Sequence, residues 1–318
     1  MERLVIAAMA GLALFCGPAF GFGTVHGLGQ NAEHERITRH ALSCRHADIP
    51  DCFEPKTLVQ LAGENDNFGA VGAPDRGHLI PEGKAHCDGA DYFDVPGYPQ
   101  SRAQAQAALE RCRNWMLVQL AAVIHDAREL LDRHGRLRKS QLGMPCLFVG
   151  EIKGRAKCNV IEDMGLLMHT AQDFYAHSNW VDHPDPDRPI SADNPPGLGH
   201  RGPAPWIDLR YSYPFPPGLI TGCSMTKHCT YGPHDDLHRV THVVLNKDEG
   251  QIDPSIGAGT TPRGRIDHNF ARAVNAAILD TREKWALIQE KLIARYGRRR
   301  GVLMACSIAH DKPMRDCT

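Results

Sequence analysis

The chain has little that would carry it through a membrane, into a β-sheet or onto a nucleic acid. Beyond residue 21 it contains no apolar run of the ~20 residues that a bilayer-spanning helix needs. β-branched runs such as Val240 to Leu245 are short and equally suit a helix. Acidic and basic residues are interspersed and the formal net charge is −1, so no nucleic-acid-binding stripe is indicated. These absences predict a soluble all-α protein.

The amino terminus is typical of an exported protein. Met1-Glu-Arg precedes an apolar stretch from Leu4 to Cys16 and small residues around Gly21, which is the layout of a secretory signal peptide. We therefore predict a signal peptide over 1–21 and a secreted or periplasmic mature chain. The remaining residues, 22–318, suffice for one large domain with a substantial core. A single helical metal-binding domain is expected there.

Cysteine usage agrees with export. Removing Cys16 from the 11 cysteines leaves an even number, which is compatible with five disulfides in an oxidising compartment. Sequence does not fix the pairing, but neighbours in sequence favour local bridges. The pairs expected on that ground are Cys44 with Cys52, Cys146 with Cys158, Cys223 with Cys229 and Cys306 with Cys317, leaving Cys87 with Cys112. Because disulfides remove thiolates, any metal must depend on His, Asp and Glu.

Four segments have helical periodicity, and one long segment does not. The predicted helices are 31–43, 101–134, 161–181 and 267–296. Ser101 and Asp267 are candidate N-caps, and Gly135 and Gly297 are candidate stops. At the end of the last helix, Arg298 to Arg300 would interact favourably with the helix dipole. Residues 182–236 are rich in proline and aromatics, and we expect an ordered lobe that forms a wall or lid of a cleft.

The third predicted helix carries the most informative pattern. His169, Asp173 and His177 stand at i, i+4 and i+8, so their side chains share an arc of ~80°. Imidazole and carboxylate on a rigid helix suit zinc, and Asp173 could bridge two metals. The alternative is that these side chains face solvent, or that a His–Asp hydrogen bond lies in the core. Histidines and aspartates elsewhere in the chain favour the metal interpretation.

Three such places matter. His34 opens the first helix, although taken alone it suits a surface position. Asp75 and His86 flank a Gly- and Pro-containing loop, where Asp75 could equally be a turn residue after Pro74. His238 and His242 are spaced one helical turn apart, which is a common zinc-binding arrangement.

These blocks resemble the heterokaryon-incompatibility C (Het-C) family. The resemblance rests on four blocks: Glu33-His-Glu-Arg-Ile-Thr-Arg, Gly72-Ala-Pro-Asp, His169-Thr-x-x-Asp-Phe-Tyr-x-His-Ser-Asn-Trp180 and His242-x-x-Leu-Asn-Lys-Asp248. More distantly, the order of ligand types is similar to that of the zinc-dependent phospholipases C and the fungal single-strand-specific zinc nucleases. Those enzymes are all-helical and hold three zinc ions.

The distant resemblance implies a fold of the zinc-dependent phospholipase C/nuclease type and a set of metal ligands. It implies Asp75, His86, His169 and Asp173 at one metal, His34 and the new amino terminus with Asp173 at a second, and His177 with His238 or His242 at a third. The chain departs from those enzymes in having three residues between Asp173 and His177 instead of five. His242 stands where they have a carboxylate, and Phe22 would replace their terminal tryptophan.

Three functions are consistent with these patterns. The first is zinc-dependent hydrolysis of a phosphodiester with two or three Zn²⁺ ions, phospholipid slightly ahead of nucleic acid as the substrate, and Asp75 as the candidate base. The second is a non-catalytic interaction protein in which metal only holds the helices together, which the Het-C resemblance favours equally. The third is a membrane-perturbing protein whose aromatics, from Trp206 to Phe215, enter lipid. An extracellular nuclease is a variant of the first.

Overall fold

A computed structural model describes residues 22–27, 29–45, 49–65, 67–148, 154–224, 239–252 and 258–317. Four predictions fall wholly or partly outside these ranges: the signal peptide, the role of His238, the bridge to Cys229 and the last part of the Pro-rich lobe.

The described chain is mostly helical, as predicted. The helices are α1 (Glu33–Leu42), α2 (Pro55–Ala62), α3 (Gly83–His86), α4 (Arg102–Asp126), α5 (Ala156–His177), α6 (His242–Leu245), α7 (Pro262–Arg265), α8 (Asn269–Tyr296), α9 (Arg298–Ala309) and α10 (Pro313–Asp316). Strands β1 (His26–Gly27) and β2 (Gln30–Asn31) pair antiparallel over two residues each. Within the described ranges, no helix is long and apolar enough to cross a bilayer.

Helix α4 begins as predicted and ends earlier. Ser101 accepts a hydrogen bond from the backbone of Gln104, whose side chain accepts one from Ser101 in return, so a capping box fixes the start. The α-helix ends at Asp126 and continues as a 3₁₀ turn to Leu130, short of the predicted 134. The side chain of Asp132 accepts the backbone N–H groups of residues 134 and 136, which closes a turn there instead.

The end of α8 differs from the prediction in two ways. Asp267 does not cap the helix, because it has φ 39° and the N-cap position is held by His268. Gly297, at φ 82°, ends α8 as expected, but the chain enters α9 at once. Residues 298–300 therefore lie on the first turn of a helix, where the helix dipole disfavours their charge. The predicted favourable interaction at a helix end is wrong.

Helix α5 is the buried centre of the molecule. It packs against α4 and α8, and every residue in it except Glu162 and Leu166 is buried. It begins five residues earlier than predicted and ends at His177 instead of 181. Lipid-free globular helices that are buried all round must satisfy their polar side chains internally. The polar residues of α5 therefore need partners from neighbouring segments.

Four of the five predicted disulfides are present. They join Cys44 to Cys52, Cys87 to Cys112, Cys146 to Cys158, and Cys306 to Cys317. Such bridges persist in oxidising compartments. Their presence fits an extracellular environment.

Gly165 allows the close approach of α5 to the loop before residue 75. A Cβ atom built on Gly165 would lie 2.3 Å from the carbonyl carbon of Ala70. Gly to Ala in an open helix stabilises by about 1 kcal/mol, but here the added methyl must push backbone aside. We predict that Gly165→Ala lowers the free energy of unfolding by about 2 kcal/mol, measured in urea. Gly83→Ala, whose Cβ would be 3.5 Å from its nearest neighbour, is the tolerated control. Equal stability of the two variants would contradict this packing.

Lys157 is a fully buried cation near the start of α5. Its Nζ donates to Thr57 Oγ1 at 3.1 Å and to the carbonyl oxygen of His310 at 2.5 Å, tying α5 to α2 and to the end of α9. Burial lowers its pKa from 10.5 to about 8, against the opposing effect of Asp311 and Glu54. The charged form is therefore disfavoured in the folded protein.

This pKa shift predicts a pH dependence of stability. Because the folded pKa is the lower one, the unfolded chain binds the extra proton between pH 8 and 10.5. The free energy of unfolding should therefore rise with pH across that window, by on the order of 3 kcal/mol. The rise should disappear in Lys157→Met and persist in Lys56→Met, whose side chain is exposed. Parallel pH profiles for wild type and Lys157→Met would refute the assignment.

Candidate metal centre

The three residues of the central motif are all fully buried, and they divide between two clusters. His169, Asp173 and His177 each have 0 % exposure. Asp173 and His169 lie in one group, which we name cluster 1, and His177 lies one turn further along α5 in a second group, cluster 2. The solvent-facing alternative for this motif is therefore wrong.

Cluster 1 gathers side chains from a loop, α3 and α5 around one oxygen of Asp173. Its Oδ2 lies 2.9 Å from Nδ1 of His86 and 2.9 Å from Nε2 of His169. Asp75 completes the group, with Oδ1 at 3.6 Å from His169 and 3.9 Å from His86. Carboxylate and imidazole atoms at these separations can surround one divalent ion. The structure thus brings together all four residues of the first implied ligand set.

The other oxygen of Asp173 faces a different pair of groups. Oδ1 lies 3.1 Å from Nε2 of His34 and 3.2 Å from the backbone nitrogen of Phe22. Both partners are fully buried, so His34 is not a surface residue. Each oxygen of one carboxylate therefore points at its own set of donors, which is the arrangement of a bridging ligand.

Further hydrogen bonds orient two of the imidazoles. Nδ1 of His169 lies 2.8 Å from the carbonyl oxygen of Val71, which leaves Nε2 directed at Asp173. Nδ1 of His34 lies 2.7 Å from the Gln172 side-chain oxygen, again leaving Nε2 for Asp173. The Gln172 amide in turn donates to Thr38 and Thr281. Outer hydrogen bonds of this kind fix the tautomer and angle of metal-ligating histidines.

Cluster 2 is a four-membered ring of two imidazoles and two carboxylates. His177 lies 3.3 Å from Asp88 through Nδ1 and 2.9 Å from Asp248 through Nε2. His242 lies 3.1 Å from Asp88 and 3.3 Å from Asp248. Asp88, His177 and His242 each offer a ligand atom within 4.8 Å of the others. This group can also hold a metal ion.

Several donor atoms in both clusters lack a hydrogen bond, which tests whether a metal fits. Within the described chain, the buried atoms His34 Nε2, Asp75 Oδ1, Asp88 Oδ1 and His177 Nδ1 have no hydrogen-bond partner. Leaving such atoms unsatisfied is costly, and native proteins rarely do so. These four atoms are also the ones that point into the clusters. The donor set therefore fits divalent cations with a preference for nitrogen and oxygen ligands.

The electrostatics of the two clusters agree with that donor set. Burial alone would raise the pKa of Asp173, but His169 and His34 hold it well below its usual range. Burial likewise opposes ionisation of Asp88, whose pKa His242 and His177 nevertheless lower. The carboxylates are therefore ionised, as ligation requires.

Sequence reasoning missed Asp88 and Asp248 as ligands and was wrong about one pair. Signals existed for both: Asp88 is two residues after His86, and Asp248 ends the His242-x-x-Leu-Asn-Lys-Asp block. The predicted helical pair of His238 and His242 does not form, because α6 begins at His242 and Thr241 before it is extended. His238 itself lies outside the described residues. His242 reaches cluster 2 from the first turn of α6 instead.

Another group of possible donors lies away from these clusters. His310 approaches Cys306 and Cys317, and also Glu54 and Asp316. The two cysteines are joined in a disulfide, so their sulfurs are not free thiolates. The remaining three side chains are only partly buried. This group offers a weaker metal site than either cluster.

A cavity of about 530 Å³ opens beside cluster 1. Arg76, which follows Asp75, lines it together with Leu79, whose carbonyl oxygen lies 3.2 Å from His86 Nε2. Leu166, one turn before His169, and the aromatic rings of Trp115 and Phe148 form the apolar wall. The cavity thus reaches the residues next to the ligands, while the ligands lie behind them.

The described part of the Pro-rich lobe packs on the core. Trp206 is buried against Phe174, and Tyr175 accepts a hydrogen bond from the backbone of Ala204. Tyr211 and Tyr213 remain exposed, at 62 % and 40 %. Of these aromatics, only the two tyrosines are well placed to meet a membrane.

No known protein family, curated protein or solved structure matches the chain.

Cluster 2 should bind its metal independently of cluster 1. Replacing His242 with alanine removes one of four groups around that position, while cluster 1 keeps all its donors. We predict that His242→Ala loses about one metal equivalent, measured by mass spectrometry of the purified protein. His200→Ala, an exposed histidine, is the control. Unchanged metal content in His242→Ala would show that cluster 2 is only a hydrogen-bonded ring.

Proposed function

We propose that the protein is a secreted zinc-dependent hydrolase of phosphodiester bonds, with a fold of the zinc-dependent phospholipase C/nuclease type. The observation that carries the proposal is the position of Asp173, whose two oxygens each face a separate set of buried donors. Paired metals held by a shared carboxylate are typical of enzymes that cleave phosphate esters. Imidazole and carboxylate donors favour zinc over Ca²⁺ or Mg²⁺, which prefer oxygen.

The proposed ligand sets follow from the contacts. Asp75, His86, His169 and Asp173 would hold the first ion, and His34 with Asp173 the second. Cleavage after Gly21 would make the nitrogen of Phe22, at 3.2 Å from Asp173, a free amine able to join the second ion. His177, His242, Asp88 and Asp248 would hold the third.

Bound zinc would neutralise the phosphate and lower the pKa of an attacking water towards ~7. The protein groups prepare that chemistry. Asp75 is the proposed base: Oδ1 faces cluster 1, while Oδ2 accepts a hydrogen bond from Thr24 Oγ1 that holds the carboxylate in place. The adjacent guanidinium of Arg76 lies over the ring of Phe68 and could contact a phosphate oxygen at the cavity mouth.

Phospholipid is the proposed substrate ahead of nucleic acid. The cavity beside cluster 1 has an apolar wall of Leu79, Trp115, Phe148 and Leu166, which suits the glycerol and acyl part of a lipid. The net charge of −1 lacks the basic footprint of processive nucleic-acid binding. Peripheral contact with a membrane would bring such a substrate to the cavity.

The decisive variant is Asp173→Ala, compared with wild type purified without a His tag. We expect about two or three zinc ions per wild-type chain, most of them lost in the variant together with hydrolysis of lecithin. Asp280→Asn is the matched control, because Asp280 is equally buried but pairs with Lys284 away from the clusters. Single-stranded DNA serves as the second substrate. Less than one metal per wild-type chain would sink the proposal.

A second function is favoured by the burial of the donors. Every cluster residue has at most 9 % exposure, and a site closed by protein ligands is typical of structural metals. In that case the protein is a Het-C-like interaction module, with or without an effect on membranes. Full zinc content without hydrolysis of lecithin, DNA or a simple nitrophenyl diester would select this function. Zinc content and turnover that are lost together in Asp173→Ala would select the enzyme.

A further inference from the structure

The largest cavity described in the protein is lined by arginines and lies apart from both clusters. Its volume is about 740 Å³, and it lies where the chain leaves α4 and where α8 meets α9. Arg128, Arg133, Arg136, Arg138 and Arg300 line it. Two carboxylates, Glu129 and Asp132, lie among them. We name these lining residues the arginine pocket.

The two carboxylates are already engaged by three of the arginines. Glu129 receives Arg128 at 3.1 Å and also Arg138, and Asp132 receives Arg136 at 3.1 Å. Within the described chain, Arg133 and Arg300 have no carboxylate at ion-pair distance. Nε of Arg133 instead lies 2.9 Å from Nε2 of His134. The pocket therefore keeps an excess of positive charge that the protein itself does not neutralise.

Ordered backbone presents these guanidinium groups. Asp132 closes its turn through backbone hydrogen bonds, and Gly135 in that turn has φ 77°. Arg300 packs against Gly135, since a Cβ there would be 3.0 Å from its Nε. Tyr296 on the pocket wall donates its hydroxyl to the carbonyl oxygen of Ile124 at 2.8 Å. A ligand would thus meet preorganised donors.

The fold gives no reason of its own for so much charge here. Arg298 and Arg299 add to it from the exposed first turn of α9, where the helix dipole disfavours cations. The whole chain has a net charge of only −1, so this end carries positive charge that is balanced elsewhere. Like charges gathered at a structural cost indicate a bound anion.

We propose that the arginine pocket binds the phosphate groups of a compact polyanion. Planar guanidinium groups match phosphate oxygens in bidentate geometry, and a concave site of this volume suits a small phosphate ester or a single lipid headgroup. An extended nucleic acid would need a stripe instead of a pocket. The same chemistry recognises a soluble pyrophosphate and the headgroup of an anionic lipid, and the experiment separates these sources.

The test compares wild type with Arg133→Gln/Arg300→Gln, which removes the two arginines without a carboxylate partner. Pyrophosphate binding is measured by calorimetry, and membrane binding by sedimentation with phosphatidylcholine vesicles that contain phosphatidic acid. We expect the variant to bind at least one of these probes about tenfold more weakly or worse. Pyrophosphate alone would identify a soluble ligand, and vesicles alone would identify a headgroup.

Arg201→Gln/Arg265→Gln is the matched control, because it removes the same charge from exposed positions that do not line the pocket. Any pyrophosphate bound at the metal clusters would be the same in both double variants, so failure of the proposed hydrolase would leave this comparison intact. Equal binding by wild type and the pocket variant overturns the proposal. So does an oligonucleotide that binds more tightly than pyrophosphate and vesicles and is lost in the pocket variant.

Discussion

The structure depends on how one buried carboxylate is compensated. Asp173 has no exposed surface and lies in the middle of α5, a helix that is buried on nearly every side. An isolated charge in such a place would cost many kcal/mol. Its oxygens are therefore met by imidazoles from three other places in the sequence: His34, His86 and His169. Metal ions would complete the same compensation by taking the place of protons between these donors.

That requirement explains why short, irregular segments lie against α5. The chain from Phe22 to Thr24 passes between the clusters: Phe22 N contacts Asp173, Gly23 N donates to the carbonyl oxygen of Asp248 at 3.1 Å, and Thr24 reaches Asp75. The passage is narrow, because a Cβ on Gly23 would lie 2.2 Å from a carboxylate oxygen of Glu33. One extended segment thus links both clusters, and the order of each depends on the other.

Sequence was sufficient for whatever local spacing determines. Periodicity located the long helices, four cysteine pairs followed from proximity, and the i, i+4 spacing on α5 placed His169 beside Asp173. Tertiary contacts decided the rest. His177 has the same spacing but turns to Asp88 and Asp248, since those loops approach α5 one turn later. No local pattern reports such an approach, so both carboxylates were overlooked as ligands.

Lys247 shows how the Pro-rich lobe is connected to cluster 2. This buried ammonium donates to the carbonyl oxygens of Ser178 and Leu245 and to Asp182 at 3.1 Å, and Asp182 also receives Arg263. All its hydrogen-bonding capacity is used, which a buried cation requires. Because Lys247 is flanked by Asn246 and Asp248, the same contacts hold the ligand Asp248 against the end of α5. Asp182 begins the lobe, so the lobe and the ligand segment are fixed by one buried ion pair. The lobe therefore supports the metal centre from behind, through charge compensation, and the geometry of cluster 2 depends on a residue that touches none of its donors.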